Sequence, residues 1–403
     1  MKLLILTQKI DINDPILGFF HRWVEEFSKH CEKITVICLE KGEHHLPENV
    51  KVLSLGKEID NLQPSTRAKL GAGPVPHRNE VSGAGFPISP DGKAIEDPRQ
   101  SRDNLQTKEL RKKKFSIFNF QLFKKIKYAF IFLKYIWQER KNYDKVFVHM
   151  NQEYVFLGGL VWKLLNKKIM FWRNHPVGNF LTDMAVFFSD KVFCTSKYSY
   201  TARFKKTEIM PVGIDTELFK RKAEIKKNSN SILYLGRIAP VKKLDLLIES
   251  LNTLNKERIN FNALIVGDSL PKDLNYYQGI KDSVKKYNLS PKIIFRGGIT
   301  NRETIDLYNG YEALINLSPN GMFDKTIFEA MACESLTLTS NLNLKDKIDN
   351  RLIFKENNID DLAQKIKVLF GLSVRWKNDY GKILREFVIK NHSIEKLIKE
   401  LLK

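Results

Sequence analysis

Between Leu314 and Asn341 the chain reads LINLSPNGMFDKTIFEAMACESLTLTSN, and this stretch restricts the possible folds more than any other. An apolar run over 314–317 precedes a polar loop over 318–324, a short helical pattern over 325–332 and a second apolar run over 336–339. Strand, loop, helix and strand in that order form the unit of a parallel α/β sheet, which gathers its ligand loops at the carboxyl ends of its strands. Glu329 is a lone acid in an otherwise apolar helix. Such a carboxylate either points to water or holds a polyhydroxyl ligand.

The 403 residues are too many for one ordinary core and predict two domains of roughly 150 to 200 residues each. A formal net charge of +21 favours anionic partners: nucleotides, phospholipid surfaces or nucleic acid. The cysteines Cys31, Cys38, Cys194 and Cys333 are scattered, without the spacing of a zinc site or a disulfide framework, and suit a reducing cytosol. The first apolar run, 3–6, is shorter than a signal-peptide core. No window reaches the roughly 18 apolar residues of a spanning helix. The expectation is a cytoplasmic chain.

The N-terminal half opens with KLLILT, a loop containing Asp11, Asp14 and Pro15, the helical LGFFHRWVEEFSKH, and the strands ITVICL and KVLSL. This is a βαβ unit with a right-handed crossover. Gly18 stands where the first loop meets its helix, either to let a ligand reach the backbone amides or to allow a tight turn. From 63 to 103 the composition changes abruptly: six of the fourteen prolines fall there, with few aromatic or long apolar residues. Such a segment buries too little surface to offset its ordering entropy, which predicts a disordered insertion. Residues 108–145 then carry twelve Lys or Arg against three acids, with Lys127, Lys134, Gln138 and Lys141 as a polar stripe beside a wide aromatic face. Two readings stand: a helix resting on an anionic bilayer, or a domain helix packed on the sheet with a solvated edge. The strands DKVFVH and KKIMFWRNH end in His149 and His175, which places both imidazoles at the ligand-collecting edge.

The second half repeats the alternation. The strand ILYL leads through Gly236 and Arg237 to Pro240 and Lys242, then to a helix with apolar positions at 244, 247, 248, 251 and 254. Pro240 suits a helix start. Arg237 and Lys242 then face whatever binds at that helix N-terminus, a geometry suited to a diphosphate. The strands ALIVG and IIFRGG also end in glycine, at Gly267 and Gly298. The architecture inferred is α/β: two Rossmann-like domains facing one another across a central cleft.

The succession GRIAPVKKLDLLI, LIVGD, KIIFRGGITNRETIDLYNGYEALINLSP and FEAMACES resembles the family 4 (group 1) glycosyltransferases of the GT-B fold, most strongly over 231–342. In the N-terminal half the likeness rests on Gly18, VHMNQEY and KKIMFWRNHP. The resemblance implies an acceptor-binding domain over 1–212 and 380–403, with the last helices returning to it, and a donor-binding domain over 213–379. It implies retaining transfer from a nucleotide sugar, used as co-substrate with no cofactor or metal, to a saccharide or lipid-linked acceptor in cell-surface polysaccharide or lipopolysaccharide assembly. His175, Arg237 and Lys242 take the catalytic positions. Gly18, Gly236, Gly267, Gly298, Gly321, Asp324, Lys325 and Glu329 take donor-binding ones, Glu329 at the ribose, with His149 on the acceptor side. Partners expected are the donor, the acceptor and an anionic membrane surface at 108–145, with no nucleic acid. The sequence departs from the family at Gly321, where a glutamate is usual, so Asp324 is expected to hold the sugar hydroxyls and Lys325 to reach the phosphate. It departs again at Glu334, where glycine is common, at a cost on the order of 1 kcal/mol if the backbone is left-handed. A catalytically degenerate donor-binding protein is the alternative reading. Replacing 63–103 with a short Gly-Ser bridge is expected to leave the fold intact; an insoluble product would show that the segment is ordered.

Overall fold

The computed structural model describes residues 1–62, 122–320 and 323–403. The expectations for 63–103, for 108–121 and for Gly321 lie outside the described residues. Strands β1 (Lys2–Ile10), β2 (Lys33–Lys41), β3 (Val50–Ser54), β4 (Lys145–His149), β5 (Lys168–Trp172), β6 (Lys191–Cys194) and β7 (Thr207–Ile209) form one sheet in the order β3-β2-β1-β4-β5-β6-β7. Strands β8 (Asn228–Leu235), β9 (Asn262–Val266), β10 (Ile293–Arg296), β11 (Tyr311–Asn316) and β12 (Leu336–Thr339) form a second, ordered β10-β9-β8-β11-β12. Every pairing between these strands is parallel. The inner strands β1, β2, β4, β5, β9 and β11 bury apolar runs, because parallel sheets are covered on both faces, whereas β3, β7 and β10 at or near the edges stay partly exposed.

Helices α1 (Gly18–Ser28), α2 (Lys57–Leu62), α3 (122–138), α4 (Gln152–Leu164) and α5 (Phe180–Phe188) belong to the first sheet. On one of its faces α1 packs through Phe20, Trp23, Val24 and Phe27. On the other lie Phe132 and Ile136 of α3, Val155 and Trp162 of α4, and Ala185 and Val186 of α5. Residues 122–138 are thus a domain helix packed on the sheet, with the lysines of its polar stripe left outward. A Cβ on Gly159 would stand 2.9 Å from the Phe188 ring, so this glycine lets α4 and α5 approach closely. The second sheet carries α6 (Leu244–Lys256), α7 (Leu274–Lys286), α8 (Thr304–Gly310), α9 (Lys325–Ala332), α10 (Ile359–Gly371) and α11 (Val374–His392).

The chain passes between the cores twice. Met210 is buried in the first core and Val212 and Ile214 in the second. Leu384 and Val388 of α11 belong to the second core, whereas Ile394, Leu397, Ile398 and Leu401 of α12 (Ile394–Leu402) belong to the first. The return therefore falls at Ser393, later than the Tyr380 expected from sequence. Ser393 ends α11 in extended conformation and its hydroxyl caps α12 by accepting from the Lys396 amide. Ile214 pairs with Ser393 as a parallel bridge, so both crossings run side by side.

Two local expectations differ in outcome. Pro240 opens a 3-10 turn, Pro240–Lys242, not the helix itself, because Lys243 is left-handed at φ 50° and α6 starts at Leu244. Glu334 is left-handed at φ 58°, as the comparison with glycine anticipated. Its carbonyl lies 2.6 Å from where a Cβ on Gly381 would stand, so α11 packs here only as glycine. Gly381→Ala should therefore destabilise the fold by about 2 kcal/mol, an overpacking cost measurable by urea unfolding.

Candidate active site

In each sheet the strand order reverses direction at one place, between β1 and β4 in the first and between β8 and β11 in the second. Loops leaving such a pair diverge to opposite faces and open a crevice at the carboxyl edge. Here the two crevices face each other around a cavity of about 430 Å³. Its second-domain wall holds Gly236, Arg237 and Lys242 after β8, Phe323 to Thr326 after β11, and Glu329. Its first-domain wall is largely apolar, with Pro15, Ile16 and Leu17 after β1, Phe19 and Trp23 on α1, and His149, Met150 and Trp172 at the strand ends.

Glu329 is 4 % exposed. Tyr308 Oη donates to its Oε2 at 3.0 Å and Asn301 Nδ2 to its Oε1 at 3.2 Å. Burial pushes its carboxyl pKa up, against the opposing pull of Lys325 and of these two donors. One turn earlier on α9, Lys325 donates to the carbonyls of Val212 and Gly213, both at 3.0 Å, and its Nζ lies 4.1 Å from the Phe19 ring centre and 4.5 Å from that of Trp23. Burial pulls its pKa down to about 7 while Glu329 opposes. Lys325, expected to reach a phosphate, lines the cavity while bonded to the interdomain crossing.

Lys242 Nζ donates to Ser318 Oγ at 2.9 Å and pairs with Asp324 Oδ2 at 2.6 Å. The same Oδ2 accepts from Asn316 Nδ2 at 3.2 Å and from the Ser318 hydroxyl. Burial works to raise the Asp324 pKa, but Lys242 and these hydrogen bonds outweigh it and hold the carboxyl below its usual range. Arg237 lines the cavity and is exposed, and its guanidinium has no hydrogen-bond or ion-pair partner among the described residues. A free cation stands beside a stored one.

The two histidines part company. His149 lines the cavity, is 4 % exposed and stacks on Phe20 at 4.2 Å. Burial, aided by the charge of Lys325, pulls its pKa down to about 3, so its imidazole is neutral. His175 lies three residues beyond the end of β5, is exposed, and does not line the cavity. Its Nδ1 accepts from the Val177 amide at 3.0 Å, which turns the ring into its own loop. Of the two, the imidazole on the cavity wall belongs to His149.

The glycines also separate. Gly236 lines the cavity. Gly18 lines a neighbouring cavity of about 350 Å³ that shares Phe19 and Asn301 with the first. Gly267 and Gly298 do not line the main cavity. At φ 144°, a Cβ on Gly267 would stand 2.0 Å from the Gly236 carbonyl oxygen, and one on Gly298 would stand 2.4 Å from Asp268 Oδ2. Their role is close approach of backbone behind the site. Sequence reasoning missed Tyr308 and Asn301 as partners of Glu329. The signal available was Tyr308 in an amphipathic helix just before β11, though its depth is set by packing. Among the described residues no three His, Cys, Asp or Glu side chains group as metal ligands.

Two parallel Rossmann-like domains with opposed crevices define the GT-B architecture. Residues 215–375 match the family described as "Glycosyl transferases group 1". The glycosyltransferase MJ1178 of Methanocaldococcus jannaschii is 25 % identical over 270 residues, which cover 62 % of this chain and 72 % of that protein. Solved structures align over the whole chain. HepE of Anabaena, in complex with UDP and glucose, matches at TM-score 0.68 and 14 % identity, with 98 % of it covered. Sucrose-phosphate synthase of Thermosynechococcus elongatus matches at TM-score 0.68 and 16 % identity, with 97 % covered. A Rickettsia africae glycosyltransferase matches at 0.62 and 20 %, also with 97 % covered. The chain has the GT-B fold, and its second half, residues 215–375, is similar to the group 1 glycosyltransferases.

The buried neutral His149 ties stability to pH. Unfolded, it titrates near its ordinary 6.5, and folded near 3, so below pH 6.5 the unfolded chain takes up a proton that the native chain refuses. Stability should fall with decreasing pH, by about 2 kcal/mol at pH 5 from this residue alone. Urea unfolding at pH 7 and pH 5 checks this, and His149→Gln should lose that part of the difference.

Proposed function

We propose that the chain is a retaining, metal-independent hexosyltransferase that moves a sugar from a nucleotide-sugar donor to a saccharide or lipid-linked saccharide in cell-surface polysaccharide or lipopolysaccharide assembly. One observation carries the reading: Arg237, Lys242 and Glu329 line one wall of a cavity whose opposite wall belongs to the other domain. The carboxylate of Glu329 is the ribose contact. Tyr308 and Asn301 fix it in place, so it accepts hydroxyl hydrogen bonds at little ordering cost. Arg237 and Lys242 meet the diphosphate, and the negative charge that grows on the departing group is stabilised by these cations without a divalent ion.

The same arrangement supports the retaining reading. Among the described residues the two carboxylates that line the cavity are both engaged, Asp324 by Lys242 and Glu329 by Tyr308 and Asn301. In the route proposed, the bond from the anomeric carbon to the diphosphate oxygen breaks, and the acceptor oxygen forms its bond on the same face. The acceptor proton passes to the departing diphosphate. His149, neutral on the opposite wall, contacts the transferred sugar, a role that the family resemblance implies for His175. HepE binds UDP and glucose, which makes UDP-glucose the first donor to test.

Thermal stabilisation by a panel of UDP-, GDP- and ADP-sugars should identify the donor, since a ligand that binds only the native state raises stability with its concentration. With that donor, Arg237→Ala and Lys242→Ala should each lower turnover about 100-fold or more, and Glu329→Ala should chiefly raise the donor KM. Near-normal turnover in both cation variants would overturn the diphosphate assignment. Donor binding without turnover on any acceptor pool would favour a degenerate binding protein.

A further inference from the structure

Helices α3, α4 and α5 lie side by side on one face of the first sheet, and each exposes large apolar side chains on the side turned away from it. Phe130 is 71 % exposed and Trp137 54 %; Leu160 and Leu164 of α4 are 60 % and 79 % exposed; on α5 Phe180 and Phe187 are both 72 % exposed. None of these side chains is needed for the core, which takes Phe132, Val155, Trp162 and Ala185 from the inner faces of the same helices. The α4 positions Phe156, Leu160 and Leu164 recur every four residues, so they form a stripe along the helix. Contact of Phe132 with Tyr154 at 5.1 Å joins α3 to α4, and α4 packs on α5, so the stripes lie on neighbouring helices. Exposed apolar surface grouped in this way marks an interaction site.

Charge selects the occupant. Residues 122–168 hold ten Lys or Arg against three acids. Lys125, Lys134 and Lys141 are exposed and have no ion-pair partner among the described residues. Lys134 shares the outward stripe of α3 with Phe130 and Trp137, being four residues from the first and three from the second. Lysines interleaved with large aromatic and aliphatic side chains fit an anionic bilayer, with ammonium groups at the phosphates and the rings at the acyl boundary. A second copy of the chain fits poorly, because an isologous contact would set these cations against themselves. No helix among the described residues is long and apolar enough to cross a membrane. The stripes suit contact with its surface.

We propose that the outward face of α3, α4 and α5 rests on an anionic phospholipid bilayer. This places the cavity at the bilayer edge: α4 and α5 begin just after His149 and Asn174, which line it, and Phe180 stands exposed at that end. The assignment is independent of the donor site, so its failure and that of the proposed activity are read by different measurements.

The test is sedimentation of the full chain with vesicles of equal parts phosphatidylglycerol and phosphatidylcholine, and with phosphatidylcholine alone. Binding should be at least tenfold tighter to the anionic vesicles and should weaken in high salt. Leu160→Asp with Phe187→Asp, and separately Lys125→Glu with Lys134→Glu, should each reduce it tenfold or more while donor-induced thermal stabilisation stays as in wild type. Should the aspartate variant fail to fold, a blue shift of Trp137 fluorescence on adding anionic vesicles, lost in Trp137→Phe, reads the same contact. Equal sedimentation with both vesicle types, or binding unchanged in both double variants, overturns the proposal. So does a concentration-dependent dimer abolished by Leu160→Asp and Phe187→Asp in a chain that ignores vesicles.

Discussion

The ammonium of Lys325 is the point on which both domains and the cavity depend. It belongs to the first residue of α9, yet its hydrogen bonds go to Val212 and Gly213 on the crossing between domains and its charge rests over Phe19 and Trp23 of the first domain. Carbonyl dipoles and ring faces replace the water it gives up; a desolvated cation over an aromatic ring gains about 2 kcal/mol, which works against the burial that pulls its pKa down to about 7. Trp23 Nε1 donates to the same Gly213 carbonyl at 3.0 Å, so the α1 helix is fixed to the crossing by a second bond. The start of α9 is thereby set against the first domain, and with it Asp324 on one side and Glu329 one turn further on.

What the sequence made legible is what depends on local spacing. Alternating strands and helices and the two-domain division follow from patterns within a few tens of residues, whereas the neighbourhood of Arg237 and Lys242 with Asp324 and Glu329 depends on β8 lying beside β11 and was implied only by the family resemblance. The left-handed backbone at Glu334 was legible for the same reason, since a helix end constrains only its own turn. Strand order is different, because it is decided by which strands pair across long separations. Without knowing that β1 lies beside β4, nothing distinguishes His149, at a crevice, from His175, whose ring is captured by the Val177 amide three residues beyond its strand.

The second crossing was misplaced for a related reason. From Tyr380 to the end the apolar period is that of one amphipathic helix after another, and periodicity does not say which core a face enters. The change of core at Ser393 needs only an extended residue that ends one helix and caps the next. Likewise Glu329 was recognised as an odd carboxylate, but its depth and its bonds to Tyr308 and Asn301 are tertiary facts.

The paired crossings govern how the two walls of the cavity can move. Ile214 accepts from the Ile394 amide at 2.8 Å and donates to the His392 carbonyl at 2.8 Å, so the two connections form a short ribbon and not two independent tethers. Domains joined through one strand can swivel, whereas a bonded ribbon resists both twist and lateral slip and yields mainly by bending across its width. The walls then open and close like the covers of a bound book: the gap between Arg237 and His149 changes while their alignment along the cleft is kept.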